Sequence, residues 1–290
     1  MRQLTGFALG LGAAVLVVAL LLGAGAIQTA GANQHDDRIV ALAYDSDTEA
    51  LLKAYPRALF RSSDQGQSWK SIAIPSSENG QIASVATSPV GKGITYVVGE
   101  GLGVLRTEDG GNSWIERNDG LPSRDVIAVA AHTTQPETVY IVVRGQGVYR
   151  SQDAGKSWRL MDRSSQGDIR QLIHSNMAGS MQTGWLFAAT SNGIRRSMDC
   201  FCLWQDAGKL GREAYSVTYD PARPEQIYAA TEKGLFRSAD GGENWVQATS
   251  PSPKVTALAF TRTGTLYAAS EEGTLFRSTD QGDTWNPVNA

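Results

Sequence analysis

An eleven-residue pattern recurs six times along this chain. It reads LFRSSDQGQSW (Leu59–Trp69), VLRTEDGGNSW (Val104–Trp114), VYRSQDAGKSW (Val148–Trp158), IRRSMDCFCLW (Ile194–Trp204), LFRSADGGENW (Leu235–Trp245) and LFRSTDQGDTW (Leu275–Trp285). The aspartates, Asp64, Asp109, Asp153, Asp199, Asp240 and Asp280, are spaced by 45, 44, 46, 41 and 40 residues. A near-constant period of this size means one supersecondary unit repeated and stacked on itself. The 31 glycines and seven tryptophans of the chain trace the repeat, since five of the glycines and six of the tryptophans occupy its Gly and Trp positions.

Each unit carries the same strand signals. An apolar first strand comes early, as in Ile39–Tyr44, Val126–Ala131 or Val255–Phe260. A second strand follows, such as Tyr228–Thr231 or Tyr267–Ser270, and then a glycine turn at Gly103, Gly147, Gly193, Gly234 or Gly273. The motif leads from a third strand into a fourth just after Trp. No segment after residue 35 has helical periodicity. Four strands in ~40–45 residues suit a propeller blade, whose two faces are buried against the neighbouring blades. Residues 38–290 are the length of six such blades and leave no room for another globular domain. The expected fold is all-β: a six-bladed propeller of four-stranded antiparallel sheets. Its first and last blades each have their own four strands, which predicts closure without strand exchange.

The motif explains itself in structural terms. The Asp carboxylate accepts backbone N–H groups of its own turn, and the Ser or Thr two positions earlier adds a hydroxyl. The glycine allows the positive φ of such a turn. The Trp fills the wedge between blades, burying on the order of 200 Å². Each turn supplies one carboxylate, whereas calcium takes 6–8 oxygens, so no metal and no cofactor is implied.

The pattern S-x-D-x-G-x-[TS]-W resembles the Asp-box (BNR) repeat of sialidase-type propellers. That superfamily holds sialidases, xyloglucan-cleaving glycosidases, sortilin-type receptors and photosystem II assembly/stability factors, and in size and style the chain is most similar to the last. The resemblance implies a structural role for Ser62, Asp64, Gly66 and Trp69, for Thr107, Asp109, Gly111 and Trp114, and for Ser151, Asp153, Gly155 and Trp158. The same holds for Ser197, Asp199 and Trp204, for Ser238, Asp240, Gly242 and Trp245, and for Ser278, Asp280, Gly282 and Trp285. It also places these boxes on the face away from a ligand site.

Signs of catalysis are sparse. The F-R-I-P element of sialidases is missing. The regular arginines, Arg61, Arg106, Arg150, Arg196, Arg237 and Arg277, each lie three residues before the Asp. They therefore repeat around the ring and read as solvated or blade-bridging. A glycosidase needs two carboxylates ~5–10 Å apart. The opposite-face loops offer Glu100, Asp119, Asp125, Asp168, Glu213, Glu271 and Glu272, without a signal that joins any two. Arg117, Arg124, Arg144, Arg163, Arg170, Lys209, Arg212, Lys233 and Lys254 are expected on the same face. His132 and His174 fall at strand ends and read as structural. Two cysteines exclude a disulfide scaffold, and 26 basic against 29 acidic residues exclude a nucleic-acid footprint.

The fourth unit departs from the pattern. Phe201 stands where the others have glycine, which predicts a different turn because Phe disfavours positive φ. Met177, Met181, Trp185, Cys200, Phe201 and Cys202 form a candidate partner-docking patch.

Ahead of the repeats, Phe7–Ile27 is a run of 21 residues with no polar side chain, enough to span ~30 Å of hydrocarbon as a helix. Arg2 precedes it and Asp36 and Asp37 follow, which puts the N-terminus inside and the repeats outside the cytoplasmic membrane. Gly6, Gly10 and Ala14 share one helix face and offer a close contact to another membrane helix. The organisation expected is residues 1–27 as anchor or uncleaved signal, 28–37 as linker and 38–290 as propeller. The function expected is non-catalytic: an interaction, assembly or stability factor for a membrane protein complex. The alternative is a surface propeller that binds or cleaves glycans.

Overall fold

The computed structural model describes residues 38–288 apart from 76–79, 164–167, 182–183, 199–200 and 202. Each repeat in it is an antiparallel four-stranded sheet whose strands follow one another in chain order, from the innermost outward. The innermost strands are Ala41–Asp45, Gln81–Thr87, Val126–Ala131, Gln171–Ser175, Ala214–Asp220 and Val255–Phe260. The outermost are Lys70–Ile72, Ile115–Glu116, Arg159–Asp162, Gln205–Asp206, Val246–Gln247 and Asn286–Pro287. Second strands such as Trp185–Thr190 and Val139–Val143 are buried along both faces. This burial explains their continuous apolar composition, where a half-solvated strand would alternate.

Six hydrophobic clusters hold the sheets together, and each spans one pair of consecutive blades. Leu52 and Leu59 of blade one meet Val97 and Leu105 of blade two. Tyr96 and Val98 meet Val129 and Ile141. Tyr140 and Val142 meet Leu172 and Leu186. Phe187 and Ile194 meet Val217 and Ala229. Tyr228 and Leu235 meet Leu258 and Leu266. Tyr267 and Leu275 of blade six meet Ile39 and Leu51 of blade one, so the ring closes. The sheet of blade six is completed by its own Asn286–Pro287, paired to Phe276 and Arg277, and that of blade one by its own Lys70–Ile72. Closure joins complete blades among the described residues, with no strand exchanged.

Three corrections to the sequence reading arise here. Phe201 does adopt a positive φ, +57°. That value lies in the small left-handed basin open to L residues at a cost of about 1–2 kcal/mol. The Phe201 ring packs against Tyr140 and Trp204, at centroid distances of 5.7 and 6.3 Å, which offsets that cost. Five of the motif tryptophans, expected to fill the wedge between blades, are only half-buried, because the outer strands run along the rim; among the six Trp204 alone is buried. Arg117, expected on the solvated loop face, instead packs its stem where Gly155 of the next blade leaves space.

The apolar segment 7–27, with Gly6, Gly10 and Ala14, lies outside the described residues, as do Asp199, Cys200 and Cys202. Among the described residues no helix is long and apolar enough to cross a membrane.

Candidate functional site

The Asp-box turns are closed by hydrogen bonds within five residues. Ser62 Oγ donates to Asp64 Oδ1 at 2.7 Å and accepts the Gly66 N–H at 2.7 Å, while Asp64 Oδ1 accepts the Ser68 N–H at 2.9 Å. Thr107–Asp109, Ser151–Asp153, Ser238–Asp240 and Ser278–Asp280 repeat the 2.7 Å contact. Bonds from the residue four positions on and from the Ser or Thr two positions back hold Asp64, Asp109, Asp153, Asp240 and Asp280 at about 2. The folded carboxyls are thus more acidic than the unfolded ones. Their contribution to stability is complete above the ordinary carboxyl range near ~4 and is lost as pH falls through that range toward 2.

Ser238→Ala is expected to cost about 1–3 kcal/mol, since it strips the buried Gly242 N–H of its acceptor. Ser238→Thr, the residue that blade two uses at Thr107, is expected to retain most of that stability. Urea denaturation of the two variants checks the pair.

The same turns tie blade to blade. The indole N–H of Trp114 donates to Ala73 O at 2.9 Å, that of Trp158 to Arg117 O at 2.9 Å, that of Trp245 to Ala207 O at 2.8 Å and that of Trp285 to Thr249 O at 3.0 Å. Every acceptor belongs to the preceding blade's outer strand or the residues just after it. In the other direction, Arg196 Nη1 donates to Gly241 O at 2.7 Å, Arg237 pairs with Asp283 at 3.1 Å and Arg277 donates to Gln65 Oε1 at 2.8 Å across the closure seam. Arg61 Nη1 reaches Gly110 O at 3.5 Å. Arg106 remains in its own blade, on Tyr96 and Glu108. Gly111 shows why the motif needs glycine: φ is +96°, and a Cβ there would sit 2.6 Å from Ile72 of blade one.

Opposite the boxes, the candidate carboxylates are drawn into charge pairs. Glu100 pairs with Arg144, Glu213 with Arg170, and Glu271 with Lys254 at 2.6 Å. Asp125 accepts the Gly101 N–H at 3.1 Å, and Asp168 accepts the Ser191 hydroxyl. The arrangement neutralises the rim locally and sets these carboxylates against cations and turn donors. Among the described residues no three His, Cys, Asp or Glu side chains form a metal-binding group.

The ring axis holds a cavity of about 180 Å³ between the six innermost strands. Tyr44, Thr87, Thr133, Thr218, Tyr219, His174 and Arg262 contribute its polar wall. Several of these lie at or beyond the strand ends that turn toward the second strands. In a four-stranded meander those turns share a side with the Asp boxes: Asp45 pairs with Ala50 and Leu51 with Ser62 at one end of blade one. The cavity therefore reaches the Asp-box side. Burial pushes the Tyr44 and Tyr219 hydroxyls upward, so both remain protonated donors at neutral pH.

In blade four, Trp185 is 7 % exposed and lies in the seam to blade five, with its N–H on Ala178 O. Met177 packs against the same cluster and Phe201 against the seam to blade three. Met181 is 71 % exposed, and so is Leu203, which the sequence reading did not single out. The fourth turn itself differs from the rest. Ser197 Oγ donates to Met198 O, and the Phe201 N–H donates to Met198 O at 2.9 Å.

Two features escaped sequence reasoning. Lys53 pairs with Leu42 and Phe60 on the second strand of blade one, at a register where blade two has Val97 and blade three Ile141. Its ammonium stands 4.2 Å from the Trp69 ring and 5.7 Å from the Tyr55 and Phe60 rings, and burial lowers its pKa. His132 and His174, residues of different blades, lie face to face at 3.9 Å. The sequence signal for both was a polar residue within or at the end of an apolar strand.

The family model described as photosynthesis system II assembly factor YCF48 matches residues 31–192, and one described as the DUF6242 β-propeller domain matches 205–290. No curated protein matches the chain. Three solved structures illustrate the likeness of fold. A GH74 enzyme from Niastella koreensis is 17% identical with a TM-score of 0.61, covering 87% of this chain and 47% of its own. YCF48 bound to D1 peptide is 22% identical with a TM-score of 0.56, covering 87% and 82%. YCF48 from Cyanidioschyzon merolae is 17% identical with a TM-score of 0.57, covering 88% and 87%. The chain spans about half the length of the GH74 enzyme.

Proposed function

Because this chain belongs to the photosynthesis system II assembly factor family, YCF48, we propose that it is a non-catalytic interaction module that helps a membrane protein complex assemble or stay intact. The family match over residues 31–192 carries this reading. The pairing of the rim carboxylates with Arg144, Arg170 and Lys254 supports it, since a glycosidase needs one carboxyl free to donate a proton and another to attack or activate water. In this reading residues 7–27 anchor the chain with the N-terminus inside and the repeats outside the cytoplasmic membrane, and residues 28–37 are the linker. Gly6, Gly10 and Ala14 offer the helix contact. We assign partner contact to the Asp-box side of blade four, where Met181 and Leu203 stand exposed.

Affinity purification of the full chain in mild detergent is expected to recover a membrane protein partner in stoichiometric amount. Met181→Asp with Leu203→Asp is expected to reduce that recovery at unchanged thermal stability. The GH74 fold likeness favours a second reading, a propeller that binds or cleaves glycans. A chain that purifies alone and binds an oligosaccharide on an array would establish that second reading in place of the first.

A further inference from the structure

The turn after the innermost strand of blade six is closed by its own backbone and by Thr261. The Thr261 N–H donates to Thr265 O at 2.9 Å, Thr261 Oγ1 accepts the Thr265 N–H at 3.0 Å, and Gly264 allows a φ of +87°. Arg262 sits on this fixed turn and lines the axial cavity. Its side chain is exposed and makes no hydrogen bond or ion pair among the described residues. The two acids that end innermost strands are turned into their own loops. Asp45 accepts the Asp47 N–H at 3.1 Å and the Thr48 hydroxyl. Asp220 accepts the Ala222 N–H at 2.9 Å and pairs with Arg223 at 2.8 Å. Among the described residues no Asp or Glu lines the cavity.

The rest of the polar wall supplies donors. Tyr219 of blade five and Tyr44 of blade one flank Arg262 of blade six in the ring. Neither hydroxyl has a hydrogen-bond partner among the described residues, and burial keeps both protonated. Ser46 Oγ on the same wall is buried without a partner. Gln171 Oε1 accepts the Val217 N–H at 2.7 Å, which leaves its amide N–H groups as donors. One cation and several donors, with no carboxylate among them, select an anion with strong acceptor oxygens. Farther from that mouth the wall is apolar: Leu42, Val85, Val129, Leu172, Val217 and Leu258 contribute, one from each blade. The volume of about 180 Å³ exceeds the ~150 Å³ of a protein cavity that takes up benzene, so one ring fits inside.

We propose that the axial cavity binds a small monocarboxylate whose apolar body is about one ring in size, with the carboxylate toward Arg262 and the tyrosine hydroxyls. The mouth is on the Asp-box side, opposite the face that the resemblance assigns to ligands. The site is independent of the partner contact assigned to Met181 and Leu203.

Calorimetric titration of the full chain in a neutral detergent tests the site, with benzoate, cyclohexanecarboxylate and benzamide as probes. At about pH 7.5 both acids are ionised, while benzamide keeps the shape of benzoate without its charge. Both carboxylates are expected to bind, and benzamide to bind about tenfold more weakly or worse. Arg262→Gln is expected to weaken benzoate about tenfold or more, to leave benzamide unchanged and to keep the thermal midpoint, because Arg262 is exposed on a turn that does not use its side chain. Arg262→Lys is expected to restore part of the loss. Light-activated para-azidobenzoate is expected to label peptides of the innermost strands, and benzoate to compete with it. Carboxylates that bind no tighter than benzamide overturn the proposal, and so does an Arg262→Gln variant that binds benzoate like the wild type. Label found only outside the innermost strands and their turns overturns it as well. So does the absence of binding by either carboxylate at about 10 mM, where even a site of millimolar affinity is filled. Should Arg262→Gln fail to fold, the contrast between benzoate and benzamide on the wild type decides the matter.

Discussion

Trp204→Ala is expected to cost about 3–5 kcal/mol and to lower the thermal midpoint by about 10 °C. Trp204 is 8 % exposed and packs in the seam between blades three and four among Ile127, Tyr140, Leu172 and Leu186. Truncation removes a large aromatic from a site that neighbouring strands cannot close, so the transfer loss and the cavity loss add. Trp204 is also chemically unlike four of its counterparts. Its indole N–H is buried without an acceptor, whereas Trp114, Trp158, Trp245 and Trp285 each donate across a seam. Trp204→Phe is therefore expected to cost less than Trp158→Phe, which forfeits its bond to Arg117 O and with it about 1 kcal/mol. Calorimetry of the three variants orders them. A Trp204→Ala midpoint within 2 °C of the wild type, a small shift on the scale of roughly 2–4 °C per kcal/mol, contradicts the packing described for this seam.

Gly99→Ala is the second large effect, expected at about 3 kcal/mol or more, because a single methyl group meets backbone it cannot displace. Gly99 lies on the second strand of blade two opposite Ile82, where the pairing register shifts. A Cβ built there falls 1.7 Å from the Gln81 carbonyl oxygen and 3.0 Å from Ile82 Cα. No rotamer relieves a clash with a peptide group, so the first strand of the blade has to move and its hydrogen bonds with it. Gly120→Ala is the control. Gly120 has φ of +82° but nothing within 4 Å of its Cβ position, so only the backbone cost of about 1–2 kcal/mol is expected. Thermal midpoints that fall by the same amount in both variants would show that space is not what Gly99 provides.

The parts of this protein legible from its residues are those closed over short stretches of chain. The bond from Ser62 to Asp64 and the one from Gly66 back to Ser62 lie within five residues, so a local pattern encodes them in full. Repetition of that pattern at a near-constant period sets the number of blades, and the packing of blade six on blade one closes the ring at six. Turn chemistry was less legible in blade four, where Phe201 at +57° shows that packing on Tyr140 and Trp204 outweighs a backbone preference. The docking patch read from Met177, Met181 and Trp185 depended on which side of a strand each side chain took. The fold buried Trp185 and left Met181 exposed.

By itself, then, the amino-acid order determined an all-β ring of six blades, the turns that close each one and the family to which the chain belongs. Only the tertiary structure decided what lies between blades, such as Arg277 on Gln65 across the closure and His132 against His174. These partners stand 212 and 42 residues apart. The register of two separate sheets and the closing of the ring bring them together, and no local periodicity records a contact of that kind.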